Sequence, residues 1–296
     1  MKYLPIISFV LIFLFTSCTL VEVKPGVPET PPWANESGND KYGLFAILKY
    51  EKSKIKFRYI PKGSFVMGNE KAKGGSSTPN RIVILTRGFW ICESEMPQKF
   101  FKSVTEVNPS KYQNLEKPLE NITYYKCVEF TKKLNNLYLT KGFNLPSVAQ
   151  WEYSARGPIN KYKDMKNNEI AWFGQSNSDS FMIKHNKKFG THIIKRKTPN
   201  HFGLYDMLGN VGEWCLDDFQ KLSNTNVTDP VITVKKKWLT PHKVYRGGIF
   251  NSGDYSISPG YRTECTPKWR GRYVGFRLVW QTPSAQIKAQ SLNIKR

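Results

Sequence analysis

The chain has 296 residues, with 45 Lys and Arg against 23 Asp and Glu, for a formal charge of +22. That length accommodates two ordinary domains or one large one with appendages, and 40% hydrophobic residues with eight tryptophans exclude wholesale disorder. Five cysteines, no two in a Cys-x-x-Cys spacing, exclude a disulfide-built miniprotein and a zinc ribbon, and a single long apolar run excludes a polytopic membrane protein.

That apolar run is the N-terminus. Lys2 is followed by an apolar stretch through Phe15 and then Thr16-Ser17-Cys18, the layout of a secretory signal and too short for a comfortable spanning helix. The cysteine after Leu14-Phe15-Thr16-Ser17 resembles the bacterial lipobox, with Phe15 where that pattern usually carries Leu. The resemblance implies a signal peptide at 1–17, a lipid on Cys18 and a location in the bacterial cell envelope, lipid-anchored to a membrane and facing the periplasm or the exterior. A plain cleaved signal and an uncleaved anchor are the alternatives. Residues 18–53 carry Pro25, Pro28, Pro31 and Pro32 among Gly, Glu and Asn and read as a linker. A globular domain is expected over 54–280, followed by a Lys-containing tail over 281–296.

Phe57 to Gly68 places apolar residues on both sides of Pro61-Lys62-Gly63, and Asn80 to Glu95 gives a β-branched run followed by an aromatic one, so both segments predict pairs of short strands. Pro97 opens a predicted helix carrying Phe100, Phe101 and Val104. Thr123 caps a second with Cys127, Phe130, Leu134 and Leu137. Ser147 to Gln150 forms a capping box for a third helix that Gly157 stops. Beyond Gly157 the chain is rich in turn residues, and His185 and His192 stand in a Lys-rich stretch that reads as solvated.

The ordered series IPKGSFVMG (60–68), LPSVAQWEYSARG (145–157), FGLYDMLGNVGEW (202–214), RGG (246–248) and VGFRLV (274–279) resembles the formylglycine-generating, sulfatase-modifying-factor domain family over about Phe57 to Trp280. The resemblance implies an α+β fold, a C-type-lectin-like variant with little regular secondary structure. It also implies a structural Ca2+ held by Asp206 and Glu213 through carboxylates and by Gly209 and Val211 through carbonyls. That set suits a hard cation seeking six to eight oxygens. The other reading has Asp206 and Asn210 capping turns while Glu213 meets one of the chain's many cations.

The oxidases of that family bind copper through two cysteines a few residues after the RGG element. Aligned on the two glycines, Ser252 and Ile257 stand at those positions, so no copper is expected, since Cu(I) requires soft thiolates. The sulfoxide-synthase branch takes iron from a His-rich domain that this chain lacks. What remains is a mixed polar and aromatic stretch between the RGG and VGFR elements, with Phe250, Asn251, Asp254, Tyr255, Trp269, Arg270 and Tyr273 as candidate ligand-binding residues. This layout resembles the retroelement-diversified ligand-binding lipoproteins of the same fold. The expectation is a non-catalytic, monomeric, surface-anchored module that binds a protein or glycan ligand and not nucleic acid. The alternatives are an enzyme or accessory subunit with unrecognised metal-dependent chemistry, and a polyanion binder drawn by the charge of +22.

Overall fold

The computed structural model describes residues 28–68, 80–157, 166–174, 190–234 and 240–283. Cys18, the signal, His185 and most of the tail lie outside them.

The chain enters through Trp33, which is 3% exposed and packs against Phe57 at 4.7 Å, Phe143 at 5.3 Å and Trp280 at 6.0 Å between ring centroids. Strands β1 (Glu36–Asp40) and β2 (Gly43–Tyr50) follow at once. The expectation of a linker reaching residue 53 is therefore corrected: the folded unit begins before β1. The signal was faint because β1, Glu-Ser-Gly-Asn-Asp, is an edge strand with no apolar face, while β2 buries only Ala46 and Leu48 fully.

The four predicted strands are present as β3 (Ser53–Ile60), β4 (Gly63–Met67), β5 (Arg81–Leu85) and β6 (Phe89–Cys92), with β3 pairing β6 and β4 pairing β5. The three predicted helices are α1 (Gln98–Thr105), α2 (Tyr124–Leu137) and α3 (Val148–Arg156). The Thr123 side chain accepts from the Lys126 amide to start α2, Ser147 and Gln150 close the capping box of α3, and Gly157 ends it at φ 67°. A single turn, α4 (Asn167–Ile170), precedes β8, and the remaining short strands are β7 to β15, of which β7 lies between α2 and α3. In chain order these are Phe143–Asn144, Ala171–Trp172, Leu208–Gly209, Gly212–Asp218, Val227–Thr228, Lys243–Arg246, Arg262–Cys265, Val274–Gly275 and Val279–Trp280.

The strands make a six-stranded sheet in the order β1-β2-β3-β6-β15-β7 and a four-stranded sheet in the order β13-β12-β10-β14, with smaller sheets β11-β5-β4 and β8-β9. The last strand inserts between β6 and β7, pairing Val279 with Ile91 and with Asn144, so the C-terminal motif locks early and middle segments together. One apolar cluster gathers Phe57, Phe100, Phe130, Phe143, Trp214 and Phe276; a second gathers Ile60, Val83, Trp151, Met207, Val244 and Ile257. Cys92, Cys127 and Cys215 are buried free thiols and Cys265 is a half-buried one, so aromatic plugs and ion pairs, not disulfides, tie down the irregular segments among the described residues.

Candidate functional site

The glycine-rich segment from Asp206 to Gly212, which carries β9 into β10, is built on backbone that most residues avoid. Asp206 and Asn210 both have φ 52°, and Gly209 has φ 76° with room for no Cβ, which would lie 2.2 Å from the Trp172 carbonyl oxygen. Asn210 staples four segments together. Its Oδ1 accepts from the His192 amide, its Nδ2 donates to Glu95 and to the His192 carbonyl, its amide donates to Trp172, and its carbonyl accepts from Phe250.

The carboxylate expected to ligate calcium at one end of this turn already has a cation. Arg277 donates from Nε and Nη2 to the two oxygens of Glu213, both at 2.6 Å, and the Trp151 indole donates to the same carboxylate at 2.6 Å. Arg277 also donates to the carbonyls of Cys92, Tyr205 and Asp206, so a fully buried guanidinium takes the donor sites and supplies the charge. At the other end, Asp206 accepts the Lys195 amide through Oδ2 and keeps a buried, unpartnered Oδ1. Burial pushes the Asp206 carboxyl up to about 6. Of the two expected carboxylates, Asp206 thus keeps an oxygen suited to a hard cation and Glu213 does not.

The arginine of the RGG element is likewise structural. Arg246 pairs with Glu152, which also receives Arg156 Nε at 2.9 Å and the Gly68 amide at 2.8 Å. Ser252, at the first expected cysteine position, caps a tight turn: its Oγ accepts the Ile249 amide at 2.9 Å and its carbonyl accepts from Gly174. Ile257, at the second, is 4% exposed in the second core cluster.

The seven residues expected to form a ligand surface divide. Phe250 is fully buried, edge-on to Tyr112 at 5.7 Å, and is removed from the surface by its own hydrophobicity. Asn251 is half-buried with an unpartnered Oδ1, Asp254 and Arg270 are exposed, and Tyr255 is 76% exposed. Trp269 and Tyr273 are half-buried, 5.4 Å apart, with their inner edges on the first core cluster.

Two tyrosines that the sequence reading missed join these halves. Tyr261 meets Tyr255 edge-on at 5.9 Å, and Tyr245 on β12 lies opposite Thr263 of β13. Burial raises the Tyr245 phenol to about 12, with Tyr273 and Tyr261 among the neighbours adding to the rise. The result is a ridge running Tyr255, Tyr261, Tyr245, Tyr273, Trp269. Glycines admit its rings: a Cβ at Gly212 would lie 2.6 Å from Tyr245, and one at Gly271 would lie 2.2 Å from Trp269. The available signal was the β-pairing of Lys243–Arg246 with Arg262–Cys265, which aligns Tyr245 beside the second loop but needs register to be seen.

His192 also departs from expectation. Its ring stacks on Trp172 at 3.9 Å and 9° while Lys197 covers the same indole at 4.2 Å, and burial, with Lys117 and Lys197 nearby, lowers its pKa to about 4. The lysine-rich sequence around it hid an aromatic partner that lies 20 residues earlier.

Comparison with known proteins gives the family. The model of the sulfatase-modifying factor enzyme 1-like domain matches residues 49–282. The chaperone protein LppX of Paenibacillus barcinonensis is 26% identical over 184 residues, covering 47% of this chain and 65% of that protein. The formylglycine-generating enzyme of Streptomyces coelicolor is 27% identical over 157 residues, covering 47% and 46%. The serine/threonine-protein kinase pkn1 of Chlamydia pneumoniae is 25% identical over 203 residues, 64% of this chain and 29% of that protein. The chain spans less than two-thirds of the length of each of these relatives. Among solved structures, Treponema denticola variable protein 1 superposes with a TM-score of 0.66 at 22% identity over 80% of this chain and 98% of that one. PvdO from Pseudomonas aeruginosa gives 0.61 at 20% identity over 84% and 98%, and both likenesses concern the fold. With its α+β sheets, its turn at 206–213 and its RGG and VGFR arginines each serving the same framework, the chain belongs to the sulfatase-modifying factor enzyme 1-like domain family.

Proposed function

We propose that this domain is a ligand-binding module displayed from the bacterial cell envelope by a lipid on Cys18, and that it lacks the copper-binding cysteine pair of the oxidases. The observation carrying this reading is the aromatic ridge from Tyr255 to Trp269, which holds rings in partly exposed positions on β12 and on the turns flanking β13. Aromatic rings on a scaffold supply contact area at low entropic cost, and they suit a protein or glycan partner. Supporting it, Ser252 and Ile257 are a turn cap and a core side chain, neither offering a soft ligand. The resemblance to LppX, a chaperone by its name, favours a protein as the partner.

The test is a screen of the full chain against glycan and envelope-protein panels, with the double variant Tyr255→Ala/Trp269→Ala alongside. Loss of the hit by tenfold or more in the variant, with melting still cooperative, is expected. Full retention of binding overturns the ridge assignment, and stoichiometric copper or iron in the purified protein overturns the non-catalytic reading.

A further inference from the structure

A second recess lies away from the ridge, between the β2–β3 hairpin and the segment Ile193–Arg196, with Ser94 and Pro97 at its base and a volume of about 770 Å³. Seven basic and three acidic side chains line it. Lys49, Lys52, Lys54 and Lys56 come from the hairpin, Lys195 and Arg196 from the opposite wall, and Lys99 from the first turn of α1.

The arrangement carries costs that folding alone does not require. Lys49 and Lys54 are directly opposed across the β2–β3 ladder, and like charges so placed are destabilising. Lys56 follows on the same face as Lys54, so the two side chains leave β3 about 7 Å apart. Lys195 is held at the mouth in the left-handed region, φ 61°, its amide on Asp206 and its Nζ on Glu93 at 2.6 Å. Carboxylates outside the recess partner Lys49, Lys56 and Lys195. Among the described residues, Lys52, Lys54 and Arg196 have no carboxylate within 4 Å. Three cations are therefore left to share one concave surface.

We propose that this cleft binds an anionic saccharide chain, carrying sulfate or carboxylate groups at intervals that match the lysines of β3. A flat bilayer reaches cations on a convex face, whereas these line a recess. Single-stranded nucleic acid calls for aromatic platforms, and among the described residues no aromatic side chain lines the cleft. A peptide adding as a strand needs a free edge, and β2 and β3 are both paired on their two sides. Ile193 and Ile194, both half-buried, supply apolar surface for sugar ring faces beside the charges. No residue of the aromatic ridge takes part, so the two sites stand or fall separately.

The probe is a heparin octasaccharide, titrated into the full chain by calorimetry at about 50 mM salt, where screening is weak. Lys52→Glu/Lys54→Glu/Arg196→Glu is compared with Lys132→Glu/Lys133→Glu/Lys221→Glu, which removes the same charge from exposed positions elsewhere. A loss of tenfold or more in the first variant and less than twofold in the second is expected. Lys54→Glu alone places opposite charges across from Lys49, so it should melt at or above the parent temperature while binding more weakly, which separates lost binding from lost fold. Equal losses in both triple variants, no binding of the octasaccharide, or tighter cleft-dependent binding of single-stranded DNA, phosphatidylglycerol vesicles or polyglutamate would each overturn the proposal.

Discussion

The buried arginines and the surface lysines of this molecule put the same sign of charge to opposite uses. Arg277 is fully buried and every contact it makes is to the framework: Glu213, Cys92, Tyr205 and Asp206. The lysines of the β2–β3 hairpin crowd one another, and among the described residues Lys52 and Lys54 have no carboxylate within 4 Å. A planar guanidinium with five fixed donors can satisfy several carbonyls and a carboxylate at once, whereas an ammonium on a flexible stem stays hydrated and available. The lesson is that net charge says little until the buried cations are subtracted from it.

The sharpest way to break this contrast is to remove the buried member. Arg277→Leu leaves Glu213 uncompensated in the interior, so a destabilisation of about 3–5 kcal/mol is expected. For a domain of this size that lowers the melting temperature by roughly 10 °C, measurable by calorimetry. A change under 2 °C would mean that Glu213 finds another cation. Next comes the ridge, where Trp269→Ala should cost about 2 kcal/mol because the indole packs on the first core cluster, and Tyr255→Ala should stay within about 0.5 kcal/mol because its ring is 76% exposed. Urea titrations of both variants would show whether binding and stability are separable along the ridge.

A smaller effect concerns pH. The imidazole of His192, lowered from 6.5 to about 4, stays neutral in the fold while the unfolded chain takes up a proton, so it withdraws stability as pH falls through that window. His192→Gln removes this contribution, and its melting temperature relative to the parent should rise between pH 6.5 and pH 4. A constant difference across that range would refute the assignment. Smallest is calcium: with Arg277 occupying Glu213, millimolar calcium or a chelator should move the melting temperature by less than about 1 °C, and a rise of several degrees would put the ion at the free oxygen of Asp206.

Local chemistry makes much of the fold legible in the sequence. The caps of α2 and α3 at Thr123 and Ser147 are contiguous with the helices they start, and the turn at Pro61-Lys62-Gly63 lies between the strands it joins. The first fifty residues read poorly for the converse reason. Trp33 earns its place only through Phe57, Phe143 and Trp280, all distant in sequence, and β1 has no apolar face to signal a strand. Of the candidate surface, Tyr255 and Trp269 were readable as aromatics in polar loops. Phe250 was misjudged because nothing in its neighbourhood reveals that Tyr112 closes over it.

Residue identities and short-range patterns were enough for the family framework, the three longer helices and the early strands β3 to β6. These depend on residue identity or on contacts within a few positions. Only the folded chain brings Glu213 to Arg277 across 64 residues, sets Tyr245 and Tyr261 into a ridge and gathers seven basic side chains around one cleft. Ion pairs, ring packing and shared surfaces act through space, and their partners are set by sheet register and loop closure, which no local pattern of residues encodes.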